Sequence, residues 1–217
     1  MKPKNPTQFS RPAFTLIELL VVISIIALLS GLVIAGLGAA KKSANRSTAK
    51  ANLAFVAAAI ESYKDKYNTY PPSNTNSVML NPLYYELSGV TLSGSTYTTL
   101  DGAAKITEAD YKTAFGIGGI LNVTRGGGDD GVAAKNFLPG LDSKLVNDNV
   151  SNNLVRTTIL VTSVGGPDVN YQPLGARDLN PFHYNSFNPT NNPGGYDLWL
   201  ELHIGGKTNI FGNWTAK

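Results

Sequence analysis

The chain has 217 residues, 42% of them hydrophobic and 15% charged, the profile of a globular sequence with one or two domains. It contains no cysteine, which excludes a disulfide framework, a thiolate zinc site and a cysteine nucleophile. The formal charge is +3, yet Lys2, Lys4 and Arg11 are the only charged side chains before Phe14. Without residues 1–13 the 15 remaining basic residues balance the 15 acidic ones, so charge gives no support for nucleic-acid binding.

Residues 1–13 are polar and basic and carry Pro3, Pro6 and Pro12, with no folding signal. The run that follows, Phe14 to Ala40, contains one ionisable side chain, Glu18. Leu19–Ala40 is 22 residues without a charge. As a helix it spans roughly 33 Å, enough for a hydrocarbon core of about 30 Å. Secretory signal cores run to about 7–15 residues, which disfavours a cleaved signal, although Ala35, Gly36, Gly38, Ala39 and Ala40 mimic a small-residue cleavage site.

Glu18 needs a reason to be there. A carboxylate near the bilayer centre costs about 2.5–3.5 kcal/mol on insertion scales. Burial neutralises such a group unless a cation meets it. Glu18 is therefore a functional candidate in search of a cationic partner; the plain alternative is a carboxylate resting among the headgroups.

The helix is predicted to continue. Lys41 to Asn68 has neither Pro nor Gly, and Ala49, Leu53, Val56, Ile60, Tyr63 and Tyr67 recur at alternating steps of four and three, which is one helical face. Lys42, Arg46, Lys50, Glu61, Lys64 and Asp65 fall largely elsewhere, and Pro71-Pro72 closes the segment. The expectation is one helix of about 55 residues, roughly 80 Å long, apolar all round in its first half and amphipathic in its second. The stripe suits packing on the chain's own domain better than a coiled-coil partner, because it lacks an e/g charge pattern. Ala27, Gly31, Ala35 and Ala39 form a small-residue face that lets helices approach closely in lipid, or else ordinary small-residue content. Gly31, Gly36 and Gly38 each weaken the helix by about 1 kcal/mol, which predicts local melting or bending.

Beyond Pro72 helical periodicity fades. A short helix is expected at Glu108–Phe115, and a β-branched strand at Val155–Ser163. Tyr196–Ile204 alternates, with Leu198, Leu200, Leu202 and Ile204 on one face and Asp197, Trp199, Glu201 and His203 on the other. Gly205-Gly206 then turns the chain back through Thr208–Trp214. Residues 165–195, rich in Pro, Asn and Gly, read as a loop. The predicted class is α+β: a long N-terminal helix packed on a small antiparallel β-sheet.

Chemistry-bearing motifs are scarce. His183 and His203 lie in a proline-rich loop and a strand, without His-Glu-x-x-His, Gly-x-Ser-x-Gly or a P-loop. Gly116-Ile-Gly-Gly119 and Gly126–Gly128 lack the strand-to-helix setting of a phosphate site. The Gly-Asp loop at 126–131 reads as a surface turn rather than a metal loop. No enzyme is predicted. A membrane-anchored binding or hydrolytic domain is the competing class; it requires a deep pocket with clustered titratable groups within residues 73–217.

Arg11-Pro-Ala-Phe-Thr-Leu-Ile-Glu-Leu-Leu-Val-Val-Ile23 resembles the processing site of type IV pilins and type II secretion pseudopilins. The resemblance implies that prepilin peptidase cuts between Ala13 and Phe14 and that the new amine of Phe14 is methylated. Ala13 departs from the glycine usual there. It also implies that Glu18 meets the Phe14 amine of a neighbouring subunit in a filament, so that two charges costly in lipid neutralise each other on assembly. Residues 1–13 then form a prepilin leader, 14–40 a transmembrane and filament-core helix, 41–70 its amphipathic half, and 71–217 a periplasmic or extracellular β-rich domain.

Pro189–Trp199, Gly212-Asn-Trp214, Pro181-Phe-His-Tyr184 and Tyr67–Pro72, with the lack of Cys, resemble the major pseudopilin most. That implies a homo-oligomeric filament working with minor pseudopilins and an inner-membrane assembly platform, and a single inner-membrane span with a cytoplasmic N-terminus. Lys41, Lys42, Arg46 and Lys50 nearly balance the leader's basic residues, so topology rests on the resemblance. The alternative within the family is a type IV pilus subunit for adhesion, motility or DNA uptake. Major pseudopilins also bind calcium in a C-terminal loop with acidic ligands; here Gly205-Gly-Lys-Thr-Asn209 has no carboxylate, so no cofactor is expected. Residues 73–177 match no recognised pattern.

Overall fold

The computed structural model describes residues 14–126, 133–152, 155–166, 171–176, 179–204 and 206–214, without the side chains of residues 34–36 and 152. The leader with Ala13, most of the 126–131 loop, Gly205 and the side chain of Ala35 lie outside the described residues. The chain divides into two compact units, Met1–Ser43 and Ala44–Lys217. One helix, α1 (Leu16–Tyr67), contributes to both.

In the first unit α1 is unbroken across Gly31, Gly36 and Gly38, which corrects the expected melting. A glycine keeps both of its backbone hydrogen-bonding groups, and a cost of about 1 kcal/mol at three separated positions does not break a long cooperative helix.

In the second unit the predicted stripe is the buried one. Ala49, Leu53, Val56, Ile60 and Tyr63 are buried, and Tyr67 is half-buried. The helix ends before its prolines. Asn68 adopts a left-handed φ of 55° and donates its N–H to the Lys64 carbonyl at 2.7 Å, a left-handed C-terminal cap.

Residues 73–177, which carried no family resemblance, hold most of the architecture beyond α1. They contain α2 (Leu83–Ser88), β1 (Val90–Ser93), β2 (Thr96–Thr99), β3 (Lys105–Thr107), α3 (Glu108–Phe115) and β4 (Val123–Arg125). The four strands form one sheet in the order β3-β2-β1-β4, with β1 and β4 parallel. Helix α3 has the predicted bounds. The Thr107 hydroxyl accepts the Asp110 N–H at 3.1 Å, and Gly116 closes the helix at φ 69°. Gly89, at φ 69°, follows α2 where a Cβ would stand 2.8 Å from the Lys135 carbonyl oxygen, so only glycine fits.

Strands β5 (Val146–Asn152) and β6 (Val155–Leu160) pair antiparallel, and Val161 adds a bridge to Pro181. The last sheet has the order β7-β8-β9, from β7 (His183–Asn185), β8 (Asp197–Ile204) and β9 (Lys207–Gly212). Among the described residues there are thus three sheets where one was expected, and the stretch at 165–195 supplies a strand. Strand β7 is only three residues long and buries both His183 and Tyr184, so it leaves no alternating pattern to read. Along β8 the four predicted inward residues are buried, but Asp197 is buried with them. The arrangement, a long N-terminal helix followed by antiparallel and mixed sheets, is α+β and consistent with a pilin-like fold.

Candidate processing and assembly segment

The first turn of α1 is built by two side chains. Thr15 precedes the helix, and its hydroxyl oxygen accepts the Glu18 N–H at 3.3 Å. Glu18 reaches back. Its Oε2 accepts the Thr15 N–H at 2.8 Å and the Thr15 O–H at 2.7 Å. This is a reciprocal capping box, which satisfies backbone donors that the helix start leaves unpaired. The carboxylate also sits at the positive end of the helix dipole. Among the described residues Oε1 takes no hydrogen bond and is open to a further donor.

Sequence reasoning treated Glu18 as a charge in lipid and missed Thr15 as its partner. The signal was present: Thr-Leu-Ile-Glu has the Ser/Thr-x-x-Glu spacing of a capping box ahead of an apolar run.

Within the described residues of its own unit, the helix beyond the cap leaves its side chains exposed. Phe14 is 75% exposed, and the described large apolar side chains from Leu16 to Leu37 range from 45% exposed at Val22 to 81% at Leu16. Ser24 hides its one donor by returning it to the Leu20 carbonyl at 2.7 Å. Ala27, Gly31 and Ala39 are exposed on the same helix, and a Cβ at Gly31 would meet nothing within 4 Å. By length and composition this part of α1 is able to cross a membrane. A soluble surface does not carry so large a continuous apolar area; lipid or other helices must cover it.

The C-terminal motif residues come together, but as a structural lock. The Tyr184 hydroxyl and the Ser186 hydroxyl both donate to the Pro71 carbonyl, at 2.7 and 2.8 Å. Tyr70 packs on Tyr196 with ring centroids 5.0 Å apart. His183 stacks on Trp199 at 4.8 Å, and Trp214 meets Trp199 edge-on at 5.8 Å. Gly212 makes room for the Trp214 ring, because a Cβ there would lie 2.7 Å from it. His203, the other histidine, is exposed on β8 and stands apart from this column.

Asp197 is buried because its carboxylate is fully used. Oδ2 accepts the N–H groups of Thr190 and Asn191 and the Asn191 side-chain amide, at 2.8, 2.9 and 3.1 Å, while Oδ1 accepts the Asn192 N–H at 2.9 Å. The neighbouring hairpin is closed by Asn209, whose amide donates to the Ile204 and Lys207 carbonyls at 3.2 and 2.9 Å. Both carboxylate oxygens of Asp197 therefore face N–H donors. No group of three His, Cys, Asp or Glu assembles among the described residues.

No curated protein and no solved structure matches the chain. Residues 10–34 match the family model of the prokaryotic N-terminal methylation motif. The matched stretch covers Ala13, Phe14, Thr15, Glu18, Ala27 and Gly31. The match supports a type IV pilin-like family, whose members are structural subunits, and the motif with its apolar helix indicates a prepilin-type precursor anchored in the inner membrane.

Proposed function

We propose that the chain is a structural subunit of a type II secretion pseudopilus. Prepilin peptidase cuts between Ala13 and Phe14 and the new Phe14 amine is methylated. Residues 14–68 then pack into a homo-oligomeric filament, with residues 71–217 on the periplasmic side. Minor pseudopilins and an inner-membrane platform are the partners in assembly. The observation that carries this reading is the exposed apolar length of α1, which starts directly after the capping box inside the matched methylation motif.

The capping box gives Glu18 two tasks. Oε2 holds the first helical turn through Thr15. Oε1 is left for the methylated amine of a neighbouring Phe14, which carries the positive charge that the carboxylate lacks in a lone chain. The small-residue face of Ala27, Gly31, Ala35 and Ala39 allows close helix approach in the filament. The C-terminal segments from Pro181 to Trp214 and the absence of cysteine favour the pseudopilus over a surface pilus.

Mass spectrometry of the mature protein tests the processing step: a methylated N-terminal Phe14 is expected, and a terminus near Ala40 would sink the reading. Deletion of the gene tests the machine. Loss of exoprotein secretion with surface fibres intact supports the pseudopilus; lost fibres with normal secretion assign the subunit to a type IV pilus.

A further inference from the structure

The amphipathic half of α1 is joined to its unit through a carboxylate that has no charged partner among the described residues. Glu86, in α2, is completely buried. Its Oε2 accepts the Tyr63 hydroxyl at 2.8 Å and the Asn122 N–H at 3.2 Å, and Oε1 accepts the Leu121 N–H at 3.1 Å. Asn122 extends the network. Its Oδ1 accepts the Tyr67 hydroxyl at 2.7 Å and the Lys135 N–H at 2.8 Å, and its Nδ2 donates to the Glu86 and Lys135 carbonyls at 2.6 and 2.7 Å. Two tyrosines four residues apart on α1 thus end on one carboxylate–amide pair.

Among the described residues the titratable groups facing Glu86 are all hydroxyls: Tyr63 and Tyr67 from α1, Tyr111 from α3 and Tyr184 from β7. The one ion pair among the described residues, Arg156 with Asp148, is exposed and involves neither Glu86 nor its neighbours. Burial pushes the Glu86 carboxyl up to about 7, against the opposing pull of its three hydrogen bonds. The charged form is the costly one in this setting. When Oε2 is protonated it can donate to the Tyr63 oxygen, so one hydrogen bond still joins α1 to Glu86, at the cost of the acceptor that the Tyr63 hydrogen has in the charged form.

We propose that Glu86 is a proton-operated latch where α1 meets α2 and Asn122, one that stabilises the folded unit more when its carboxyl is protonated than when it is ionised. The sign follows from linkage. The folded-state value, about 7, lies above the ordinary 4.5, so the stabilisation is complete below 4.5 and is lost as pH rises through 7. The latch acts on the half of α1 that holds the domain and not on the half with the methylation motif. It therefore stands whether or not the filament reading does.

The test uses the full chain in detergent micelles, unfolded by urea at pH 5 and pH 8. Glu86 raises the unfolding equilibrium constant on the order of a hundredfold between these values. Glu86→Gln removes that rise, and the difference between the two proteins cancels every other titrating group. Equal pH slopes in the two would overturn the proposal. Because the Gln amide faces N–H donors and can impair folding, the wild-type protein provides a second readout. A carbon-13 titration should place the Glu86 carboxyl midpoint near 7, and Tyr63→Phe, by removing a donor to the charged form, should move it higher. A wild-type midpoint below about 5 overturns the latch.

Discussion

The two halves of α1 share one helix and have opposite surroundings. From Leu16 to Leu37 the large apolar side chains are exposed on every side; from Ala49 to Tyr63 a single stripe is buried and the charged residues Lys42, Arg46, Lys50, Glu61 and Asp65 stay outside. The difference teaches that helix formation and helix function are separable here. The second half is stabilised by burying its stripe in its own unit. The first half buries no large apolar side chain among the described residues of its unit, so its apolar surface suits another environment.

The sharpest break in that comparison is Glu18→Val. On the proposed pairing of Glu18 with a neighbour's Phe14 amine, the variant should still be inserted and processed but should enter filaments on the order of a hundredfold less well, because that amine would be left unpaired in a buried setting. Crosslinking or shear-fraction assays read this, and normal incorporation would remove the charge pair from the account.

A matched pair of truncations measures the contrast itself. Ile60→Ala should cost about 2–5 kcal/mol of stability in the 44–217 unit. Leu29→Ala, at a side chain 55% exposed, should change that stability by no more than about 0.5 kcal/mol. Urea unfolding in detergent decides; equal losses at the two sites would erase the distinction between the halves.

Thr15→Val sharpens the role of the first turn. It removes the hydroxyl that both accepts from Glu18 and donates to it, at a cost of about 0.5–2 kcal/mol of local helix stability. Faster amide exchange over residues 16–19, with residues 49–63 unaffected, is the expected signature.

The smallest effect is a pH response confined to the second unit. His183 is buried against Trp199, and burial holds its imidazole below the ordinary 6.5, overcoming the nearby Glu201 charge that pulls the other way. The folded state binds fewer protons than the unfolded one just below pH 6.5. This part of the stability is complete above 6.5 and is lost as pH falls through the folded value. Thermal unfolding of Glu86→Gln protein, which lacks the opposing response, should therefore decline toward acid; a flat profile would remove His183 from the balance.

Sequence alone determined what depends on neighbours along the chain. The uncharged Leu19–Ala40 run, the buried stripe of α1, the bounds of α3 and the alternation of β8 are all periodic or capping signals that local geometry converts directly into structure. Sequence also singled out Phe14 and Glu18, and the Thr15–Glu18 spacing was legible though unread. Tertiary structure decided the rest. Strand β7, the parallel pairing of β1 with β4, the burial of Asp197 and the Glu86 network join residues far apart in the chain, and short strands or lone polar side chains carry no period of their own. A carboxylate such as Glu86 looks like any surface residue in sequence. Only the packing of α1 over α2 and Asn122 removes its water, and that desolvation is what gives it a role.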